Sequence, residues 1–235
     1  EGWQIITCSR DPVPAHCERD PNWTSHIPTD LSDPADVELF IGEALELLGD
    51  TPLNALVNNA AVSPKTDFQE RLGCLNGPID DWREVFQLNF FPPLVLALGF
   101  APALAKAGKD EDAEATEASG TEGGASIVNI TSIAGHAIHP FAGSAYSTSK
   151  AALSALTREM AVEFAALGVR VNAVAPGEIE TEMVGDEYEP LVNRIPMHRM
   201  GTAGEVASAV FQLCNPDFSY VTGTEIFITG GQHLY

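Results

Sequence analysis

The stretch Ser126–Lys150 reads SIVNITSIAGHAIHPFAGSAYSTSK. It opens as a short β-rich apolar run, Ser126–Ile130, and from Ser144 it turns to helical spacing. The helical part continues to Leu167, with Leu153, Leu156, Met160, Phe164 and Leu167 on one stripe, and Gly168 ends it. A strand that feeds a helix through a polar loop places Ser132 at the carboxyl edge of a sheet, where α/β folds bind ligands. Tyr146 and Lys150 stand at i and i+4 on the helix and share a face. An ammonium beside a phenol favours the phenolate and lowers the tyrosine pKa, and a tyrosine tuned in this way gives or takes a proton near neutral pH. Taken alone, a Y-x-x-x-K pair is a weak signal, because many solvated helix faces carry it.

The same alternation extends in both directions. Strands are predicted at Trp3–Thr7, Ser25–Pro28, Ala55–Asn58, Val169–Val174 and Glu225–Ile228. A helix is predicted over Pro34–Leu48, with Ser32 or Asp33 as its cap, Pro34 in the first turn and Gly49 as the stop. Two helical segments fill Ile79–Ala105, and a last helix covers Ala203–Cys214. Strands alternating with helices imply an α/β fold: a doubly wound parallel sheet with helices on both faces, three layers deep, in one domain spanning residues 1–235.

Composition narrows the function. Hydrophobic residues make up 45% and charged residues 19%, as in ordinary globular chains. The net charge is −21, a field that repels phosphate backbones and anionic lipid, so nucleic-acid and membrane-surface roles are not expected. The longest apolar run, Phe90–Ala105, holds Pro92, Pro93 and Pro102, and reads as too short and too broken to cross a bilayer. Cys8, Cys17, Cys74 and Cys214 form no C-x-x-C pair and have no histidines at zinc spacing. They read as reduced thiols of a cytoplasmic protein without a metal site. The acidic stretch KAGKDEDAEATEASGTEGGAS, Lys106–Ser126, has no large apolar residue and reads as a solvated, mobile insertion.

Around the opening stretch, further motifs fall in order. NNAA (Asn58–Ala61) follows a predicted strand, LNF contains Asn89, NITS ends at Ser132 and YSTSK joins Tyr146 to Lys150. RVNAVAPGEIET (Arg170–Thr181) and GTEIFITGG (Gly223–Gly231) follow, the latter with Thr229 where an aspartate is common in the pattern it resembles. Together these resemble the short-chain dehydrogenase/reductase family over nearly the whole chain. The resemblance implies a Rossmann-like fold and hydride transfer between a nicotinamide and a small-molecule carbonyl or secondary alcohol. It implies Tyr146 as acid/base and Lys150 as the residue that binds the ribose and lowers the tyrosine pKa. Ser132 would orient the substrate, and Asn89 would help hold a proton-relay water. It also implies homotetramers or dimers, for which the apolar content of Leu94–Leu104 is suited.

For the cofactor, IITCSRD (Ile5–Asp11) resembles the family's second strand and the turn after it. Members that use NAD usually carry an acid at the strand end for the ribose 2′-OH. Ser9 and Arg10 stand there instead, which favours NADP(H) while leaving NAD open, and Asp11 follows one residue later. TDL (Thr29–Leu31) resembles the family's third-strand motif, with Asp30 and Leu31 beside the adenine. Asn59, Ala60, Pro176, Gly177, Ile179 and Thr181 match the remaining cofactor contacts, Thr181 toward the carboxamide. The family's opening strand and T-G-x-x-x-G-x-G loop have no match in this sequence. The expectation is that the natural chain carries roughly 30 further residues, the span of the opening of a βαβ unit. The alternative is a catalytically silent relative that serves as a binding or scaffold subunit.

On the substrate side, Glu178–Met200 resembles the family's lid, with Met183, Val184, Tyr188, Leu191, Ile195, Met197 and His198 suited to an adjustable, partly apolar pocket. His136, His139 and Phe141 lie in the loop between Ser132 and Tyr146. A lone histidine there reads as a loop or surface residue sooner than as a catalyst.

Overall fold

Asp33 accepts a hydrogen bond from the Ala35 N–H at 2.8 Å and Pro34 fills the first helical position. The first helix, α1, therefore spans Pro34–Leu48, and Gly49 ends it with φ of 55°. The computed structural model describes residues 2–13, 21–65, 71–108, 124–180 and 189–234. The strands are β1 (Ile5–Ser9), β2 (Trp23–Pro28), β3 (Ala55–Asn58), β4 (Ala125–Ile130), β5 (Val169–Pro176) and β6 (Glu225–Ile228). The further helices are α2 (Ile79–Asn89), α3 (Phe91–Gly108), α4 (Ser144–Ala165), the short α5 (Glu189–Val192) and α6 (Ala203–Cys214).

All strand pairs are parallel. One ladder runs β3-β4-β5-β6, with Leu56 opposite Ile127, Ile127 opposite Val171 and Val174 opposite Ile226. A second pairs β1 with β2, placing Thr7 opposite His26. Among the described residues no ladder joins β1 to β3. β1 and β3 are each the end strand of their ladder, and Ile5 and Val57 on them are each 44% exposed.

Both faces are covered, as the doubly wound reading requires. On one face α1, α3 and α4 bury Phe40, Phe100, Leu104, Met160 and Phe164 against Ile127 and Val171. Ile6 and Cys8 of β1 and Ile27 of β2 pack into this same cluster, so one core spans the split. On the other face α6 packs Leu213 against Val128 and Val174, and Trp3 meets Phe211 edge-on at 6.4 Å. Burial pushes the thiols of Cys8 and Cys214 up to about 11, which suits inert thiols. Cys17 lies outside the described residues.

Two expectations need correction. The prolines do not break the apolar run. Pro92 and Pro93 sit in the first turn of α3, where N–H groups have no helical partner, and Pro102 lies within the helix. By length and composition the run Ile79–Gly108 is long and apolar enough to cross a bilayer; in this fold Leu96, Ala97, Phe100, Ala103 and Leu104 are buried, as in a core helix. The acidic stretch also has narrower limits than 106–126, because α3 continues to Gly108 and β4 begins at Ala125. Residues 109–123 lie outside the described residues. Their two flanks meet: a Cβ on Gly108 would stand 2.5 Å from the Leu167 carbonyl oxygen, and one on Gly124 would overlap the carbonyl of Gly168.

Candidate active site

The backbone leaves β4 at Ile130 and stays in register for one more residue, Thr131 N–H donating to Val174 O at 2.9 Å. Ser132 is extended, with φ of −170°, and its Oγ accepts the Ala134 N–H at 3.1 Å to start a 3-10 turn, Ile133–Gly135. Gly135 presses this turn directly onto α4. A Cβ there would stand 2.9 Å from Ala151 N and 3.0 Å from the Lys150 carbonyl carbon. The start of α4 is tied from outside: Arg71 Nε donates to Ala142 O at 2.6 Å and Ser144 N–H to Leu72 O at 2.8 Å.

These supports bring Ser132, Tyr146 and Lys150 together. The Ser132 hydroxyl is hydrogen-bonded to the Tyr146 phenol, and the Lys150 ammonium lies 5.7 Å from the centre of the tyrosine ring. Lys150 is 2% exposed and donates from Nζ to Ile130 O at 2.6 Å. Burial lowers its pKa to about 8. The expectation that Lys150 holds the tyrosine pKa down is not met here. Burial raises the Tyr146 pKa, the hydrogen bond with Ser132 opposes that, and the nearby Glu178 carboxylate adds to the rise. The lysine's bond is spent on Ile130 O, and the phenol itself is largely out of water.

Asn89, the last residue of α2, is fully buried. Its Oδ1 accepts Val62 N–H at 2.8 Å, and its Nδ2 donates to Val62 O at 3.0 Å and Ser149 Oγ at 3.1 Å. The side chain therefore clamps the segment after β3 to α4, one residue before Lys150. Asn89's own carbonyl has no N–H at i+4, because that residue is Pro93.

The predicted cofactor residues fall into two groups. Pro176 ends β5, and Gly177 N–H donates to Ile228 O at 2.9 Å. A Cβ on Gly177 would stand 2.8 Å from Gln232 Oε1 and 3.0 Å from Thr229 Cα, so a side chain does not fit. Ile179 bridges to Gly201. Asn59 and Ala60 follow β3 and are exposed. The second group belongs to the β1–β2 pair. Ser9 and Arg10 are exposed at the end of β1, with Ser9 Oγ donating to Asp11 O at 2.8 Å. Asp30 accepts from Ser32 N–H at 2.9 Å and Ser32 Oγ at 2.6 Å, and these bonds lower its pKa, with a smaller contribution from Arg10. Leu31 is buried in the core with Val37. Thr181, Met183, Val184 and Tyr188 lie outside the described residues. Of the other lid residues, Leu191 and Ile195 are buried, while Met197 is exposed and His198 takes a positive φ of 51°.

The sequence reading did not single out two histidine–carboxylate pairs that pin the loop between Ser132 and Tyr146. His136 Nε2 lies 3.0 Å from Glu225 Oε2, and Glu225 also accepts from Ser154 at 2.5 Å and from Thr131. His139 Nε2 lies 2.5 Å from Glu178 Oε1; it is a loop residue, as one of the two expected readings has it, but its side chain is only 12% exposed. No local signal marks partners this far apart in the chain.

The donor set suits a nicotinamide dinucleotide at both ends. A phenol, an ammonium and a glycine that excludes a side chain converge at one end, and small and basic side chains mark the other. A parallel sheet covered on both faces, with Ser132, Tyr146 and Lys150 gathered at its carboxyl edge, is the architecture of the dinucleotide-binding α/β class. A family model described as "Enoyl-(Acyl carrier protein) reductase" matches residues 11–233. Protein FixR of Bradyrhizobium diazoefficiens is 47% identical, over 99% of this chain and 79% of its own length. Galactitol 2-dehydrogenase (L-tagatose-forming) of Cereibacter sphaeroides is 32% identical, over 87% of this chain and 75% of its own. A short-chain dehydrogenase/reductase family oxidoreductase from Brucella ovis, solved in complex with a partially ordered NAD, superimposes with a TM-score of 0.76. It is 43% identical and covers 97% of this chain and 89% of its own. The chain belongs to the short-chain dehydrogenase/reductase family and is an NAD(P)-dependent oxidoreductase of that family.

Proposed function

We propose that the protein interconverts a carbonyl and a secondary alcohol, with Tyr146 as the residue that moves the proton. The observation that carries this is the phenol beside the Ser132 hydroxyl, with the Lys150 ammonium 5.7 Å from its ring centre, next to the carboxyl end of β4. When bound, the nicotinamide supplies the hydride acceptor or donor. Ser132 orients the substrate oxygen and Tyr146 donates to it in reduction or accepts from it in oxidation. A raised pKa keeps the phenol protonated at neutral pH, which suits the donor role. Lys150 holds the ribose and carries a proton that its lowered pKa makes easier to release. The Asn89 carbonyl, which has no i+4 N–H because residue 93 is proline, serves in this reading as a seat for the relay water between Lys150 and solvent.

The preferred cofactor in this reading is NADP(H), supported by Ser9 and Arg10 at the end of β1 where an acid would select the unphosphorylated ribose. The substrate is a small molecule, the setting cytoplasmic, and the assembly a homo-oligomer built on the exposed apolar positions Val95 and Leu98 of α3 and Val162 of α4. A silent scaffold subunit is not favoured, since relatives across the family are named dehydrogenases.

The test is Tyr146→Phe assayed with NADPH and a panel of ketones. The expected loss in kcat/KM is on the order of 10³, within the range of a general acid. Activity that survives the substitution overturns the role of Tyr146. Oxidation should also gain rate as pH rises through the raised tyrosine pKa, because it requires the phenolate.

A further inference from the structure

The proton transfer proposed above leaves a buried carboxylate unused. Glu178 follows Gly177 at the end of β5 and is 8% exposed. Its Oε1 takes two donors, His139 Nε2 at 2.5 Å and Gln232 Nε2 at 3.3 Å. The backbone decides which nitrogen of His139 bears the proton. The N–H groups of Phe141 and Ala142 point at Nδ1 from 3.2 and 3.1 Å, so Nδ1 is an acceptor. The ring proton therefore sits on Nε2 and is aimed at Glu178. Oε2 makes no hydrogen bond among the described residues. Oε2 is not among the sealed polar atoms without a partner in the described residues, so it keeps access to the surface, where water or the donor of a bound ligand can reach it.

Its surroundings say what that donor is attached to. His139 lies in the loop between Ser132 and Tyr146, and Glu178 in the segment after β5, so the pair joins the two loops that flank the phenol. The Glu178 charge is felt at Tyr146 itself. An anionic substrate, such as a keto acid, would have to approach this carboxylate through the field of a chain with net charge −21. A cationic one would enter beside the buried Lys150 ammonium. An uncharged hydroxyl meets neither obstacle and satisfies Oε2.

We propose that Glu178 is a specificity residue, aimed by His139, whose free oxygen accepts a hydrogen bond from a hydroxyl next to the reacting carbon, so that the substrate is an uncharged polyol or hydroxyketone. This rests on the carbonyl–alcohol reading above. His139 is a positioning residue that acts through Glu178.

The experiment compares 2,3-butanediol with 2-butanol, which differ by one hydroxyl, and adds 3-amino-2-butanol as the cationic analogue. Binding is read by ligand-observed NMR on the wild-type chain, on Glu178→Gln and on His139→Phe, with His139→Gln restoring an N–H donor. The wild type should prefer the diol by about 10-fold or more, the worth of a hydrogen bond to a charged acceptor. Glu178→Gln should bring that ratio close to one. His139→Phe should lower it part of the way and His139→Gln recover it. With NADPH, the same change should appear in KM for 3-hydroxy-2-butanone more than in kcat. A wild type that binds no diol, or does not discriminate, overturns the proposal. So does a ratio unchanged in Glu178→Gln, or tighter binding of the amine than of the diol. Binding needs no turnover, so an absence of hydride transfer would count against Tyr146 and leave the Glu178 result standing.

Discussion

Every residue of β5 from Val169 to Ala175 is buried, with β4 bonded on one side and β6 on the other; β1 is exposed at both ends and, among the described residues, shares a ladder with β2 alone. The side chains proposed to do chemistry hang from the first kind of strand. Ser132 leaves β4, the Pro176–Gly177 turn leaves β5, and Lys150 reaches back to the last carbonyl of β4. The residues proposed to choose the cofactor, Ser9 and Arg10, hang from the second kind. Positions that must be held to fractions of an ångström sit where the backbone is bonded on both edges. A phosphate-recognising arginine, working through charge over a longer reach, tolerates a looser support.

That contrast can be broken by experiment. Hydrogen exchange should show the largest effect: amides of β4 and β5 exchanging at least about 10³-fold more slowly than those of β1, because edge strands open locally. Equal protection would mean that the sheet behaves as one piece.

The next effect comes from Lys150. Its pKa is about 8 in the fold against a reference of 10.5, so between those values the unfolded chain binds more protons and stability rises with pH. Lys150→Met should therefore be more stable than the wild type at pH 7. The advantage should close by about 3 kcal/mol on approach to pH 10.5, as denaturant midpoints at the two pH values would reveal. A constant difference would show that the lysine is not desolvated.

Asn129 sharpens the comparison within the four-stranded part. It accepts from Asn58 at 2.8 Å and donates to Thr157 at 2.9 Å, all three buried. Asn129→Ala should cost about 2–3 kcal/mol in chemical denaturation, since it strands two buried partners. Ser9→Asp, on the exposed strand, should change stability by less than about 0.5 kcal/mol. It should nonetheless move the NADPH/NADH ratio of kcat/KM by about 10-fold toward NADH. A stability loss at Ser9 as large as that at Asn129 would erase the distinction between the two parts.

Much of this was legible in the sequence, for reasons that differ by residue. α1 and α6 fall at their predicted limits because their caps, Asp33 with Pro34 and Thr202 with Glu205, are local chemistry. β1 is shifted, Ile5–Ser9 against a predicted Trp3–Thr7, because Trp3 leaves the strand to meet Phe211 of α6. Only the folded chain makes that contact. Ser132, Tyr146 and Lys150 were legible because ordered motifs frame them. The direction of the Tyr146 pKa was not, since it is decided by burial and by Glu178. The His139–Glu178 pair was hidden for a related reason: neither residue means much until two distant loops touch.

The meeting of Gly108, Gly124 and Gly168 has a consequence for how such a chain changes over time. Gly108 and Gly124, the described residues on either side of 109–123, both stand against the Leu167–Gly168 backbone. A loop whose ends are already joined grows at little thermodynamic expense, about 0.6 kcal/mol per doubling of length. The junction lies at the amino ends of β4 and β5, whereas Ser132 and Gly177 follow their carboxyl ends. It is thus a port where sequence can be gained, lost or replaced by a reporter peptide while the reacting groups stay where they are.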